Sequence, residues 1–207
     1  MYIKVCGIKY PANMLAIAAT RPDIMGFIFY PGSPRYMGHH LTPDDLRSIS
    51  PNIMKAGVFV NESSEEILRI AEMYGLDAVQ LHGTESPEEC EAVSRAGFSV
   101  FKAFSIGKDF SFEYTKPYAS SCRLFLFDTF GKGYGGTGTH FNWEKLQSYN
   151  GSTPFLLSGG LGADDVVKLK DIKHPALAGY DINSKFEIRP GEKDVAKVER
   201  FIELLRS

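Results

Sequence analysis

Eight short apolar runs recur along this chain, at 2–6, 24–29, 54–60, 78–81, 99–104, 123–128, 154–158 and 178–182. Each is rich in Val, Ile, Phe or Leu and bounded by Gly, Pro, Asn or Asp, as buried parallel strands are. Helical patterns lie between them. Ser63 stands three residues before Glu66, at capping-box spacing ahead of Ile67, Leu68, Ile70 and Ala71. Ser86, followed by Pro87 and Glu89, repeats that signal, and residues 194–205 put Val195, Val198, Phe201, Ile202 and Leu205 on one helical face. Eight strand–helix units close into a barrel or open into a doubly wound sheet. No Gly-x-Gly-x-x-Gly follows the first run, which disfavours a dinucleotide-binding sheet. The expected fold is a (β/α)₈ barrel, and 207 residues, near the lower end for that architecture, make it one domain over 1–207.

Charge and composition remove several function classes. A formal net charge of -2 gives no long-range attraction for nucleic acid or an anionic membrane. No apolar run has the length to span a bilayer, and the first residues lack the basic and apolar regions of a signal peptide, so a cytoplasmic location is expected. The three cysteines, Cys6, Cys90 and Cys122, are odd in number and too far apart in sequence for a zinc ribbon or a redox pair. His39-His40 has no matching ligand set, so no metal is expected. Monomer and homodimer are equally compatible with the sequence.

In a barrel, chemistry gathers where the strands end, because the βα loops converge there. The strand-end residues are Cys6, His82, Asp128, Ser158-Gly159-Gly160 and the segment 181–185, with Arg35 in the loop after the second strand. Alternation puts Lys4 with Cys6, Gln80 with His82, and Asp128 with Leu124 and Leu126 on the inner face. Cys6 reads either as an inert buried thiol or as a working one. Asp128 reads as a cap or as an acid kept at a cost for a purpose. Facing one pocket, the two supply a base and an acid, which proton-transfer chemistry needs and hydride transfer does not. Arg35, on the stiff loop Tyr30-Pro-Gly-Ser-Pro-Arg-Tyr36, is either a solvated arginine or a grip for a carboxylate. His82 is a substrate contact or a satisfied strand-end histidine. Gly159-Gly160, ahead of a short helix whose N-terminus faces a ligand, and the segment around Asn183-Ser184 suit a phosphate. The Gly-rich stretch 129–140 reads as a loop over the site; His140 takes no role.

Taken in order, these residues resemble the phosphoribosylanthranilate isomerase family of tryptophan biosynthesis over nearly the full length. The resemblance is carried by Lys4-Val-Cys-Gly-Ile-Lys9, the run from Gly26 to Tyr36, Gly57-Val-Phe-Val-Asn61, Val79-Gln-Leu-His-Gly83, Lys102-Ala-Phe104, Asp128 followed by Gly135-Gly-Thr-Gly138, and Ser158-Gly-Gly-Leu161. It implies an Amadori rearrangement of a phosphorylated small molecule, with no cofactor. It further implies Cys6 as general base, Asp128 as general acid, Arg35 on the anthranilate carboxylate, His82 and Asp181 as substrate contacts, and Gly159, Gly160, Asn183 and Ser184 at the phosphate. One segment departs: the family usually has Asp-Val-Ser-Ser-Gly-Val-Glu where this chain has Asp181-Ile-Asn-Ser-Lys-Phe-Glu187, so Lys185 either reshapes the turn or adds a charge. The rival readings are another phosphosugar barrel, or a non-catalytic phosphate-ligand-binding barrel, which would not need the acid and base together.

Overall fold

The computed structural model describes residues 1–129 and 143–207. Its eight parallel strands pair in chain order and close, with β1 bonded to both β2 and β8. They are β1 (Tyr2–Cys6), β2 (Ile24–Ile28), β3 (Met54–Phe59), β4 (Ala78–Leu81), β5 (Ser99–Ile106), β6 (Leu124–Thr129), β7 (Phe155–Leu157) and β8 (Leu177–Ile182). Every strand ends within two residues of its expected run. The (β/α)₈ barrel is therefore the fold. Most of the expected loop 129–140, the matching stretch Gly135–Gly138 and His140 lie outside the described residues.

Alternation decides what each strand shows to each side. Inward, Ile24, Ala56, Ala78, Phe101, Leu124, Leu126 and Leu156 form one buried apolar cluster. Outward, Val5, Phe27, Val79, Phe125, Phe127 and Tyr180 join the larger core beneath the connecting helices.

The helices are α1 (Pro11–Ala19), α2 (Pro43–Arg47), α3 (Ser64–Tyr74), α4 (Pro87–Arg95), α5 (Val166–Asp171) and α6 (Val195–Arg206). Ser86 caps α4 with a full capping box, whereas Ser63 makes only the half in which its side chain accepts from the Glu66 N–H. Among the described residues, two segments between strands are 3₁₀ turns: Phe112–Tyr118 and Trp143–Ser148. Pro117 denies the first a backbone donor. Phe112 packs edge-on against Phe127, so a short turn still covers the barrel wall. After β7, the segment expected to offer a helix N-terminus is a 3₁₀ turn, Ala163–Asp165, leading into the six-residue α5. Asp165 Oδ2 accepts from the Gly162 N–H at 2.8 Å, so a carboxylate of the chain itself occupies that end.

A small antiparallel hairpin, β9 (Glu187–Arg189) and β10 (Glu192–Lys193), separates β8 from α6. The fold also brings Cys90 of α4 against Cys122 ahead of β6, two thiols that sequence spacing kept apart; both are buried and free. No helix among the described residues is long and apolar enough to cross a membrane.

Candidate active site

At the C-terminal ends of the strands the inner face changes from apolar to polar. A concave pocket opens there, at the mouth of the barrel. Its walls include Cys6, Arg35, His82, Asp128, Gly159, Gly160, Asp181, Asn183 and Ser184, so all nine residues expected from the sequence share one cavity.

Cys6 ends β1 and is 4% exposed. The facing residue on β2 is Gly26, where a Cβ would lie 2.7 Å from the thiol sulfur, so only glycine leaves room for it. Burial pushes the Cys6 thiol above its ordinary pKa, with Asp181 adding to the rise and the Lys4 and Lys193 ammonium groups opposing it. Lys4 does lie on the Cys6 face, as alternation required, but its Nζ is bound to Asp181 Oδ2 at 3.0 Å and the side chain is fully buried. Burial works against the Lys4 charge; Asp181 and Cys6 outweigh it and raise the lysine pKa. Asp181 is itself pushed up by burial despite Lys4, and its Oδ1 is buried with no partner among the described residues.

Asp128 stands near the end of β6, 6% exposed, two residues beyond Leu126 on the inner face. Ser158 Oγ approaches its Oδ1 at 3.4 Å, and His82 Nε2 lies 3.4 Å from its Oδ2. His82 in turn faces Gln80, with Nδ1 2.8 Å from the amide nitrogen. Gly159 and Gly160, at φ 91° and 67°, turn the chain sharply after β7 in a conformation that L side chains rarely adopt. Lys185, the unusual residue of the 3₁₀ turn Ser184–Phe186, is exposed and does not line the pocket.

Arg35 reaches the pocket already oriented. Its Nε donates to Glu187 Oε1 at 2.9 Å and its Nη2 to Glu187 Oε2 at 2.8 Å, a bidentate pair across 152 residues of sequence. Glu187 is held in turn by Lys193 Nζ at 2.7 Å and the Gly191 N–H at 3.0 Å. Burial disfavours the Glu187 carboxylate, but Arg35, Lys193 and Gly191 together keep its pKa below the ordinary range. The same Lys193 Nζ donates to Asn183 Oδ1 at 2.6 Å, so one buried ammonium fixes both the arginine's partner and the asparagine. Sequence reasoning gave Glu187 and Lys193 no role. Their signal, a hairpin folding back beneath the β2 loop, exists only in three dimensions. Among the described residues no three His, Cys, Asp or Glu side chains group as a metal site requires.

The model of the family described as N-(5'phosphoribosyl)anthranilate (PRA) isomerase matches residues 3–204. The chain belongs to this isomerase family. An N-(5'-phosphoribosyl)anthranilate isomerase of Phocaeicola vulgatus is 48% identical over 206 residues, covering 100% of this chain and 98% of the relative. The crystal structure of the Thermus thermophilus phosphoribosyl anthranilate isomerase superposes with a TM-score of 0.85 at 27% identity, covering 100% of this chain and 98% of that one. A second isomerase structure, solved with reduced 1-(o-carboxyphenylamino)-1-deoxyribulose 5-phosphate, has a TM-score of 0.83 at 31% identity, again over 100% and 98%. Within the isomerase fold, the carboxyl and the thiol come from β6 and β1, three places apart around the closed barrel, and both line the pocket at its mouth.

Proposed function

We propose that this pocket carries out the reaction for which the family is named, the Amadori rearrangement of N-(5'-phosphoribosyl)anthranilate, with Asp128 as general acid and Cys6 as general base. The observation that carries the proposal is the joint placement of a buried carboxyl and a buried thiol in one cavity with a backbone turn suited to phosphate. Asp128 delivers its proton to the furanose ring oxygen as the bond from that oxygen to the anomeric carbon breaks. The anilino nitrogen lone pair moves in to give a protonated Schiff base. Cys6, as thiolate, then takes the proton from C2′, and the electron pair left behind neutralises the iminium as an enolamine. Ketonisation moves one proton from the C2′ hydroxyl to C1′, and exchange with solvent returns Cys6 to thiolate and Asp128 to the acid.

Arg35, braced by Glu187, holds the anthranilate carboxylate through its remaining N–H groups. Gly159, Gly160, Asn183 and Ser184 hold the phosphate, and His82 and Asp181 contact the sugar. Lys4 keeps Asp181 from opposing the thiolate with an unpaired negative charge. The test is an assay following the loss of substrate fluorescence on addition of the purified chain. Turnover that needs both Cys6 and Asp128 is expected. A folded protein that binds the phosphorylated substrate without converting it would overturn the proposal in favour of a binding barrel.

A further inference from the structure

Two buried acceptor atoms in the pocket have no hydrogen-bond partner among the described residues, Gln80 Oε1 and Asp181 Oδ1. The first can be rearranged locally. With its NH₂ toward His82, Gln80 donates to Nδ1 at 2.8 Å and leaves its own oxygen unsatisfied. Turning the amide by half a revolution exchanges two groups of nearly the same size. The oxygen then accepts from a His82 Nδ1–H. The NH₂ takes the orphaned oxygen's place, in the pocket that also holds the unpartnered Asp181 Oδ1. Gln80 then offers the pocket a donor in place of an unpaired acceptor.

The turn decides where a proton sits at the other end of the imidazole. A neutral histidine carries one N–H, and the bond made by one ring nitrogen fixes the state of the other. If Gln80 donates to Nδ1, the ring proton is on Nε2 and points at Asp128 Oδ2, 3.4 Å away, favouring a carboxylate there. If Gln80 accepts from Nδ1–H, Nε2 is a lone pair, and a hydrogen bond across that gap requires the proton on Asp128. Ser158 Oγ addresses the other oxygen, Oδ1.

We propose that Gln80 presents its carbonyl oxygen to His82 and so acts as a positioning residue, setting the Nδ1–H tautomer that keeps Asp128 in its proton-donating form. The catalytic consequence rests on the proposed role of Asp128 as general acid; the tautomer does not. Asp181 is electrostatically coupled to both His82 and Asp128, and its Oδ2 is already bound to Lys4.

Nitrogen NMR of the imidazole rings in the full chain at neutral pH, with His82 assigned by comparison with His82→Asn, reads the tautomer directly. The expected result is a neutral His82 with protonated Nδ1 and bare Nε2. In Gln80→Met that preference is lost, and kcat falls at least about tenfold, bounded by the loss of the acid itself at about 10²–10⁴-fold, while KM changes little. A wild-type ring protonated on Nε2, or on both nitrogens, overturns the proposal even if Gln80→Met does not fold. So does unchanged turnover in folded Gln80→Met. A wild-type Nδ1–H ring in a chain that shows no isomerase turnover counts against the proposed function and leaves the Gln80–His82 assignment standing.

Discussion

Two levels of the barrel interior are built from the same strands by the same alternation and differ only in how far along each strand they lie. At the lower level Ala78, Leu126 and Leu156 fill the space with apolar volume. Two residues further on, Gln80, Asp128 and Ser158 point the same way into the pocket. Between the levels runs Lys4, fully buried, its ammonium bound to Asp181. The lower level gains from every group it hides. The upper level bears desolvation costs and keeps Asp181 Oδ1 buried with no partner among the described residues. The lesson is a division of labour: rigid packing below holds reactive groups above in positions they would not choose for stability alone.

That division breaks most visibly at the reactive groups. Cys6→Ser and Asp128→Asn keep shape and remove a titratable thiol or a transferable proton, so each should lower kcat by about 10²–10⁴. KM and thermal stability should stay close to wild type, and the double variant should lose less than the product of the single losses. Cys6→Ser with near-full turnover in folded protein would reduce the thiol to packing. Leu126→Ala, one layer down on the same face as Asp128, should do the reverse. It should cost about 2–5 kcal/mol in denaturant unfolding, as large-to-small core changes do. The kcat of the folded fraction should fall far less than in Asp128→Asn. If Leu126→Ala impaired kcat as much as Asp128→Asn, the two levels would not be separable.

Much of this was legible because period-two alternation is a local rule. The inward face of β6 could be read as Leu124, Leu126, Asp128 from the sequence, and the structure puts the first two in the inner cluster and the third in the pocket. Strand ends were legible for the same reason, since Gly and Pro punctuate them. What stayed hidden depends on contacts far apart in sequence. Arg35 meets Glu187 across 152 residues, and Lys193 reaches Glu187 and Asn183 only because β9 and β10 fold back on themselves. The Lys4–Asp181 bond spans 177 residues, so alternation could place Lys4 beside Cys6 but not reveal that its charge was already engaged. The 3₁₀ turns Phe112–Tyr118 and Trp143–Ser148 carry no capping or periodic signal that the sequence reading singled out.

The Arg35–Glu187 pair sharpens the comparison at the rim. Arg35→Ala should raise KM with kcat largely kept, a loss of about 2–4 kcal/mol in transition-state binding for a charge-assisted bidentate contact. Glu187→Gln keeps the guanidinium but removes its charged brace, so the rise in KM should be smaller. An unchanged KM with reduced kcat in Arg35→Ala would remove the arginine from the carboxylate and place it in the chemistry.

The pH dependence takes its sign from Cys6. Burial holds the thiol above its ordinary pKa, so near neutrality only a minor fraction is thiolate, and that fraction grows as pH rises. With thiolate as the base, kcat/KM should climb by up to about tenfold per pH unit from about pH 6 toward about pH 8. Burial depresses Lys193 to about 8, and its charge is one of the two cations favouring the thiolate and also fixes Glu187 and Asn183. Above that point the ammonium is lost, the pull on Cys6 weakens and the brace on Arg35 loosens, so the climb should flatten while KM begins to rise. The rate of Cys6 alkylation by iodoacetamide, followed by peptide mass mapping to separate it from Cys90 and Cys122, should climb over the same lower range without reference to turnover. A flat alkylation profile across that range would show that Cys6 is already thiolate at neutral pH, and that Lys4 and Lys193 outweigh burial at the bottom of the pocket.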